Sequence, residues 1–268
     1  MKKVLLLTLA LTFGGKYVFA QDGGENDIKN FRFGLKTAGM LTWYKPDDKK
    51  KYTSGGVSAK GTYGLMLEFR LNKVASIATG FQVDYFGGKL NMLDSNYYFL
   101  SKDSEILEKG DSTNLTNRLF LNNREYRTTY VTLPFTLKLK TPEIGALTYY
   151  GQFGINASVR MKCRVNDEVY STSWSNNKIV NGLKSTQQDL INSTDMNLFM
   201  FSLNVGGGAE WNLAGSTSLV FGLNWYNGFS NVMKADSKYL IRTPFNGSTA
   251  TKQNAKASAI ALTVGVLF

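Results

Sequence analysis

The sequence predicts an all-β fold, an eight-stranded antiparallel up-and-down β-barrel, on three observations. Eight segments alternate large apolar residues with small or polar ones at period two. The connections between them alternate between short turns and long polar loops. The chain opens on an export signal, and no later stretch offers ~18 consecutive apolar residues, so no helix is expected to span a membrane.

The signal comes first. Lys2 and Lys3 form its charged region, Val4 to Phe13 its apolar run, and Val18-Phe19-Ala20 a small-residue cleavage site. The expected domains are 1–20, a signal peptide; 21–30, a short periplasmic N-terminal segment; and 31–268, the barrel. Gln21, not Cys, stands directly after the cleavage site, so a lipoprotein anchor is not expected. Cys163 is the only cysteine, which excludes an internal disulfide framework.

The strand segments are 31–44, 59–71, 74–90, 124–139, 147–164, 196–213, 217–229 and 257–268. Each exceeds the ~9–11 residues a tilted crossing needs. One face reads Leu65, Leu67, Phe69, Leu71 in the second; Val131, Leu133, Phe135, Leu137 in the fourth; Phe199, Phe201, Leu203, Val205 in the sixth; and Leu219, Phe221, Leu223, Trp225 in the seventh. The last strand gives Ile260, Leu262, Val264, Val266 and the terminal Phe268. The opposite face carries Gly64, Glu68, Arg70, Gln82, Asp84, Gln152, Gly154, Asn156, Ser158, Ser202, Asn204, Gly206 and Gly208. An apolar face toward lipid and a small or polar face toward a lumen is the transmembrane pattern. A soluble barrel with an apolar interior would turn the same faces the other way, but small residues suit the inside of a narrow eight-stranded barrel.

Short turns at 72–73, 140–146 and 214–216 follow the even-numbered strands; long loops at 45–58, 91–123, 165–195 and 230–256 follow the odd ones. Bacterial barrels show this asymmetry, with turns in the periplasm and loops outside. Aromatics are expected in two interfacial girdles: Trp43, Tyr44, Tyr85, Tyr126, Tyr130, Trp225 and Tyr226 near the loops, and Phe31, Phe33, Phe69, Tyr149, Trp211 and Phe268 near the turns. The expected location is therefore the bacterial outer membrane, as an integral protein.

With the strands placed, the chain resembles the PorT-like family of outer-membrane β-barrels, common in the Bacteroidetes lineage. Phe33-Gly34-Leu35-Lys36-Thr37-Ala38-Gly39 is similar to that family's first strand. Tyr130-Val131-Thr132-Leu133-Pro134-Phe135-Thr136-Leu137-Lys138 resembles its aromatic strand with an internal proline and closing lysine. Gly151-Gln152-Phe153-Gly154 and Phe221-Gly222-Leu223-Asn224 resemble two glycine-marked strands. The resemblance implies the barrel fold and, through the family's namesake, a link to type IX protein secretion.

No catalytic, cofactor or metal residue is expected. The chain has no His, which weakens the lipid A deacylase, phospholipase and omptin-type readings; without His, a Ser or Thr nucleophile would need a Lys or carboxylate base. One Cys and no His make a transition-metal site improbable. Residues 94–111 could supply carboxylates to Ca²⁺, although their spacing fits no known loop and a solvated acidic loop is the simpler reading.

The inward face carries Arg32, Lys36, Glu68, Arg70, Asp84, Lys138, Arg160, Lys162 and Glu210. These residues form either an anion-selective lumen or, in so narrow a barrel, a plug of ion pairs, with Tyr150, Tyr226 and Gln152 crowding the space. The basic surplus is expected at the lumen mouths, where Arg32, Lys138 and Lys162 fall. Pro134 should interrupt a ladder and could mark a bulge.

The net charge of +11 falls to +8 without Lys2, Lys3 and Lys16. Lys45, Lys49, Lys50, Lys51, Lys234, Lys238 and Arg242 make the first and fourth loops basic, suited to lipopolysaccharide phosphates or simply to solvent. The expected partners are outer-membrane lipid and lipopolysaccharide, together with an envelope or secretion-system protein; nucleic acid is not expected of an exported chain. The expected function is a non-enzymatic structural or interaction barrel of the cell envelope. A small-solute or ion pore, and an envelope-modifying enzyme, are the alternatives.

Overall fold

The computed structural model describes residues 30–101, 105–108, 118–175, 178–242 and 250–268. The expected signal peptide and nearly all of the short periplasmic segment lie outside them. Thirteen strands follow in order: β1 (Phe31–Pro46), β2 (Tyr52–Ser54), β3 (Ser58–Arg70), β4 (Ala75–Met92), β5 (Tyr97–Phe99), β6 (Arg118–Lys140), β7 (Leu147–Ser175), β8 (Lys178–Ile191), β9 (Phe199–Ala214), β10 (Thr217–Gly228), β11 (Asp236–Ile241), β12 (Ala250–Lys252) and β13 (Ala255–Leu267).

Eight of them close a ring in the order β1, β3, β4, β6, β7, β9, β10, β13, with every neighbour antiparallel. The ring shuts where β13 returns to β1, pairing Thr37 with Val264 and Gly34 with Leu267. Closure leaves no free sheet edge within the ring, which is what allows strands to cross lipid. These eight strands coincide with the eight alternating segments.

The alternation sets the facing. Leu133 is 44% exposed on the outer wall, whereas Thr132 beside it is fully buried in the lumen. Leu65, Phe135, Phe199, Leu223 and Leu262 continue the outer apolar band, and Glu68, Gln82, Asn156 and Ser202 are buried inside. Phe31, Phe33, Phe69, Tyr149, Trp211 and Phe268 are all exposed at the turn end, as a girdle requires. At the loop end Tyr85 and Trp225 are exposed too, but Tyr44, Tyr126 and Tyr130 are wholly buried, and Tyr226 packs against them. Their even positions put them inside: height along the strand suggested a girdle, and parity overruled it.

Pro134 interrupts the β4–β6 ladder without a bulge. Pairing stops at Thr79↔Phe135 and resumes at Gln82↔Thr132 in the same register, because proline has no N–H to donate. Opposite the gap, Gly80 adopts φ +149°, and a Cβ there would come 2.0 Å from the Leu65 carbonyl oxygen.

β6 has 23 residues and β7 has 29, well beyond the ~9–11 of a crossing. The excess projects past the apolar band and gathers the loops into a sheet. β8 pairs with β7, β5 with β6, and β11 with both β5 and β12. Long loops read as irregular from sequence thus carry five further strands.

Candidate functional site: the lumen and its two closures

Near the turn end, Arg32 of β1, Glu68 of β3, Lys138 and Lys140 of β6, and Glu210 of β9 meet across the barrel, all buried. Each of the three cations touches both carboxylates. Arg32 Nη2 donates to Glu68 Oε1 at 3.1 Å and to Glu210 Oε2 at 2.7 Å. Lys138 Nζ lies 3.3 Å from Glu68 Oε2 and also pairs with Glu210. Lys140 Nζ pairs with Glu68 and lies 2.9 Å from Glu210 Oε1. Lys138 Nζ also sits 4.0 Å from the centre of the Tyr150 ring, a favourable cation–π contact. Charges this dry are tolerated only when densely partnered.

Above this network inward-facing side chains hydrogen-bond to one another along the lumen wall. Asp84 Oδ2 accepts from Thr132 Oγ1 at 2.6 Å and Asp84 Oδ1 from Gln82 Nε2 at 2.8 Å; Thr132 Oγ1 is also 2.7 Å from Ser158 Oγ. Gln152 Nε2 donates to Asn224 Oδ1 at 2.5 Å. The lumen spaces found here hold about 50 Å³ beside Lys36 and Tyr150, and about 20 Å³ beside Asp84 and Met200. At roughly 10–15 Å³ of such space per water, the larger holds a few ordered waters.

Toward the loops the filling turns apolar. Tyr44, Phe86, Leu90, Tyr130, Cys163 and Val165 of the ring strands pack with Tyr98, Met196, Val232, Met233 and Leu240 from the loop segments. Within this core Arg124 and Asp167 form a two-pronged ion pair, Nε and Nη2 each 2.7 Å from a carboxylate oxygen. Tyr98 stacks over the guanidinium at 5.5 Å. Burial and the nearby Asp167 carboxylate hold the Tyr98 phenol far above its ordinary pKa. Asp195 ties the third and fourth loops together: it accepts from Ser237 Oγ and, at 2.7 Å, from the Lys238 backbone N–H.

Of the predicted inward residues, Arg32, Glu68, Asp84, Lys138 and Glu210 lie in the lumen, and Lys36 lines its larger space. Arg70 is half-buried at the turn-end mouth. Arg160 Nε donates to the Asn197 carbonyl at 3.3 Å. Lys162 does not face the lumen. A bulge in β7 pairs Tyr130 with Arg160 but Thr129 with Lys162, so Met161 and Lys162 are both exposed and Cys163 takes the inward place. Nor do Arg32 and Lys138 remain as unpaired surplus at a mouth; they are the centre of the network.

The sequence reading missed Lys140, assigned to a turn, although its even parity with Thr136 and Lys138 was the available signal. It also missed the pairing of Arg124, the first residue of the fourth segment, with Asp167, because the fifth segment was ended at 164 and left Asp167 in a loop. Among the described residues of 94–111, Asp94 pairs with Arg242 and Glu108 with Lys238, and among all described residues no three potential ligands gather for a metal. Of the seven basic loop residues, Lys51, Lys238 and Arg242 are paired with carboxylates, Lys45 and Lys49 line a groove beside Trp43, and Lys50 and Lys234 are exposed.

An apolar outer wall, aromatic ends, a polar lumen and a closed ring define an integral β-barrel of the outer membrane. Residues 19–234 match the family described as outer membrane protein beta-barrel domain, and the chain belongs to that family. Among solved structures it is similar to OprG of Pseudomonas aeruginosa, at 12% identity and a TM-score of 0.45 over 89% of this chain and 95% of that one. Neisserial surface protein A gives 10% and 0.40 over 89% and 96%. The attachment invasion locus protein of Yersinia pestis gives 10% and 0.35 over 88% and 98%. No curated protein matches the chain.

Proposed function

We propose that this is a non-enzymatic barrel that serves the envelope as a structural or interaction component, with its extracellular sheet as the working surface. The observation that carries the reading is the filled lumen: ion pairs toward the periplasm, an apolar core toward the outside, and, among the described residues, small spaces of about 50 and 20 Å³ between. Such a barrel is a rigid mount for what projects from it. The extensions of β6 and β7, with β5, β8, β11 and β12, provide the surface an envelope partner would meet. Glu68 and Glu210 are each engaged by three cations, so neither is free to act as a general base, which supports the non-enzymatic reading. The link to protein secretion, through a type IX-like system, is supported by the PorT-like resemblance alone.

Planar-bilayer recording tests the reading. The purified barrel should show conductance near background, whereas steady anion-selective channels abolished by Arg160→Glu would promote the pore. Crosslinking in native outer membranes should then recover one defined partner through residues of the extracellular sheet; contacts confined to the turn end would move the working surface to the periplasm.

A further inference from the structure

The β3–β4 ladder runs upward from Arg70↔Ser76 and stops at Thr62↔Asp84. Above that point β4 pairs with β2 instead, and the Gly55 N–H donates to the Lys89 carbonyl at 2.6 Å. The unpaired stretch leaves a notch on the outer wall. Lys60 lies across it over Gly87, where a Cβ would come 2.6 Å from Lys60 Cε, so only glycine leaves the lysine this path. The bulge that expels Lys162 from the lumen delivers it to the same notch. Arg127 and Arg164 complete the wall, enclosing a groove of about 370 Å³.

Four cations face one carboxylate here. Asp189, with φ 56°, is the single non-glycine residue at positive φ among those described. Its carbonyl and its Oδ2 both accept from Arg164 Nη1 at 2.8 Å, and its Oδ1 stands 4.0 Å from Arg127 Nη1. Asp189 therefore fixes the guanidinium of Arg164 without neutralising the groove. Lys60 and Lys162 have no carboxylate partner among the described residues.

The groove sits where the wall changes character. Directly below it Tyr63 and Tyr85 pair their rings at 6.3 Å, and below them lies a second, apolar groove of about 480 Å³ lined by Leu35, Leu65, Phe81, Val83 and Val131. A ligand that spans both must carry an anionic head and an aliphatic tail.

We propose that this paired groove binds a phosphorylated outer-leaflet glycolipid, its phosphate held by Lys60, Arg127, Lys162 and Arg164 and one acyl chain lying along the apolar groove below. Guanidinium groups meet phosphate oxygens through strong charge-assisted hydrogen bonds, and the aromatic pair marks the headgroup level. The site is separate from the lumen and from the basic residues of the first and fourth loops.

Native mass spectrometry of the detergent-purified mature barrel, titrated with diphosphoryl lipid A, its dephosphorylated form or inorganic phosphate, tests this. Wild type should bind the diphosphoryl lipid at least about tenfold tighter than the dephosphorylated one. Arg127→Ala/Lys162→Ala should remove most of that preference, while Lys45→Ala/Lys49→Ala should retain it. Should the double variant lose heat-modifiable gel mobility, Lys162→Ala alone, at an exposed position, should still weaken binding about threefold. Equal affinity for the two lipids, unchanged binding in Lys162→Ala, or displacement of the lipid by millimolar inorganic phosphate would each overturn the proposal.

Discussion

Toward the periplasm the lumen is closed by Arg32, Glu68, Lys138, Lys140 and Glu210, all carried by ring strands. Toward the outside it is closed by Tyr44, Leu121 and Val165 of the ring together with Val232 and Leu240 from the fourth loop. One closure is ionic and built into the wall; the other is apolar and partly supplied by chain that folds back. The difference follows the connections. Turns such as the one between β9 and β10 are too short to reach inside, so the strands at that end must fill the space with long side chains, and long side chains of opposite charge can meet in the middle. The loops at the other end are long enough to bring in apolar residues, as a soluble core does. The ionic closure depends on complete partnering, and the apolar one on volume, so the two should fail differently.

Glu210→Ala should have the largest effect. It leaves three buried cations against one carboxylate, and breaking a buried pair costs about 3–5 kcal/mol. Urea unfolding in detergent, followed by the loss of heat-modifiable mobility, measures it; a change under ~1 kcal/mol would mean that water already screens the network. Replacing all five residues by apolar ones of similar size should be far milder than the single change.

Leu240→Ala attacks the other closure. It removes a fully buried side chain, at a typical cost of about 2–5 kcal/mol. Because Leu240 belongs to the loop sheet, the loss should appear as faster proteolysis of the extracellular segments while the ring still migrates as a folded barrel. Simultaneous unfolding of the ring would show the two closures to be one cooperative unit.

Leu133→Arg and Thr132→Arg sharpen the boundary between wall and lumen. The first sets a charge on the lipid face, costing ~2–4 kcal/mol near the midplane. The second overpacks a site already bonded to Asp84 and Ser158, with a cost of about 1–3 kcal/mol. In a Cys163→Ala background, a lipid-soluble thiol reagent should label Leu133→Cys and spare Thr132→Cys; the opposite pattern would shift the register by one residue.

Arg242→Ala, which removes an exposed pair with Asp94, should change stability by at most about 1 kcal/mol. A larger loss would mean that the loop sheet depends on its rim as well as on its core.

The sequence by itself determined the eight strands, their antiparallel order, the lipid and lumen faces and the side on which the long loops lie. All of these follow from local quantities, the period-two pattern and the spacing of turns, and a one-residue error would have turned every side chain over. It also placed Arg32, Glu68, Lys138 and Glu210 inside, because parity carries through an unbroken strand. Tertiary structure alone decided what parity cannot see. The bulge after Arg160 sends Lys162 outward, since one extra residue in β7 has no mark in the alternation. The extension of β6 and β7 beyond the membrane brings Arg124 and Asp167 together, and pairing with β5 and β8 sustains it. The buried tyrosines became a core rather than a girdle because residues far away in sequence, Met196, Val232 and Leu240, return to cover them, and contacts between distant segments are set by the closed ring that brings their loops to one end.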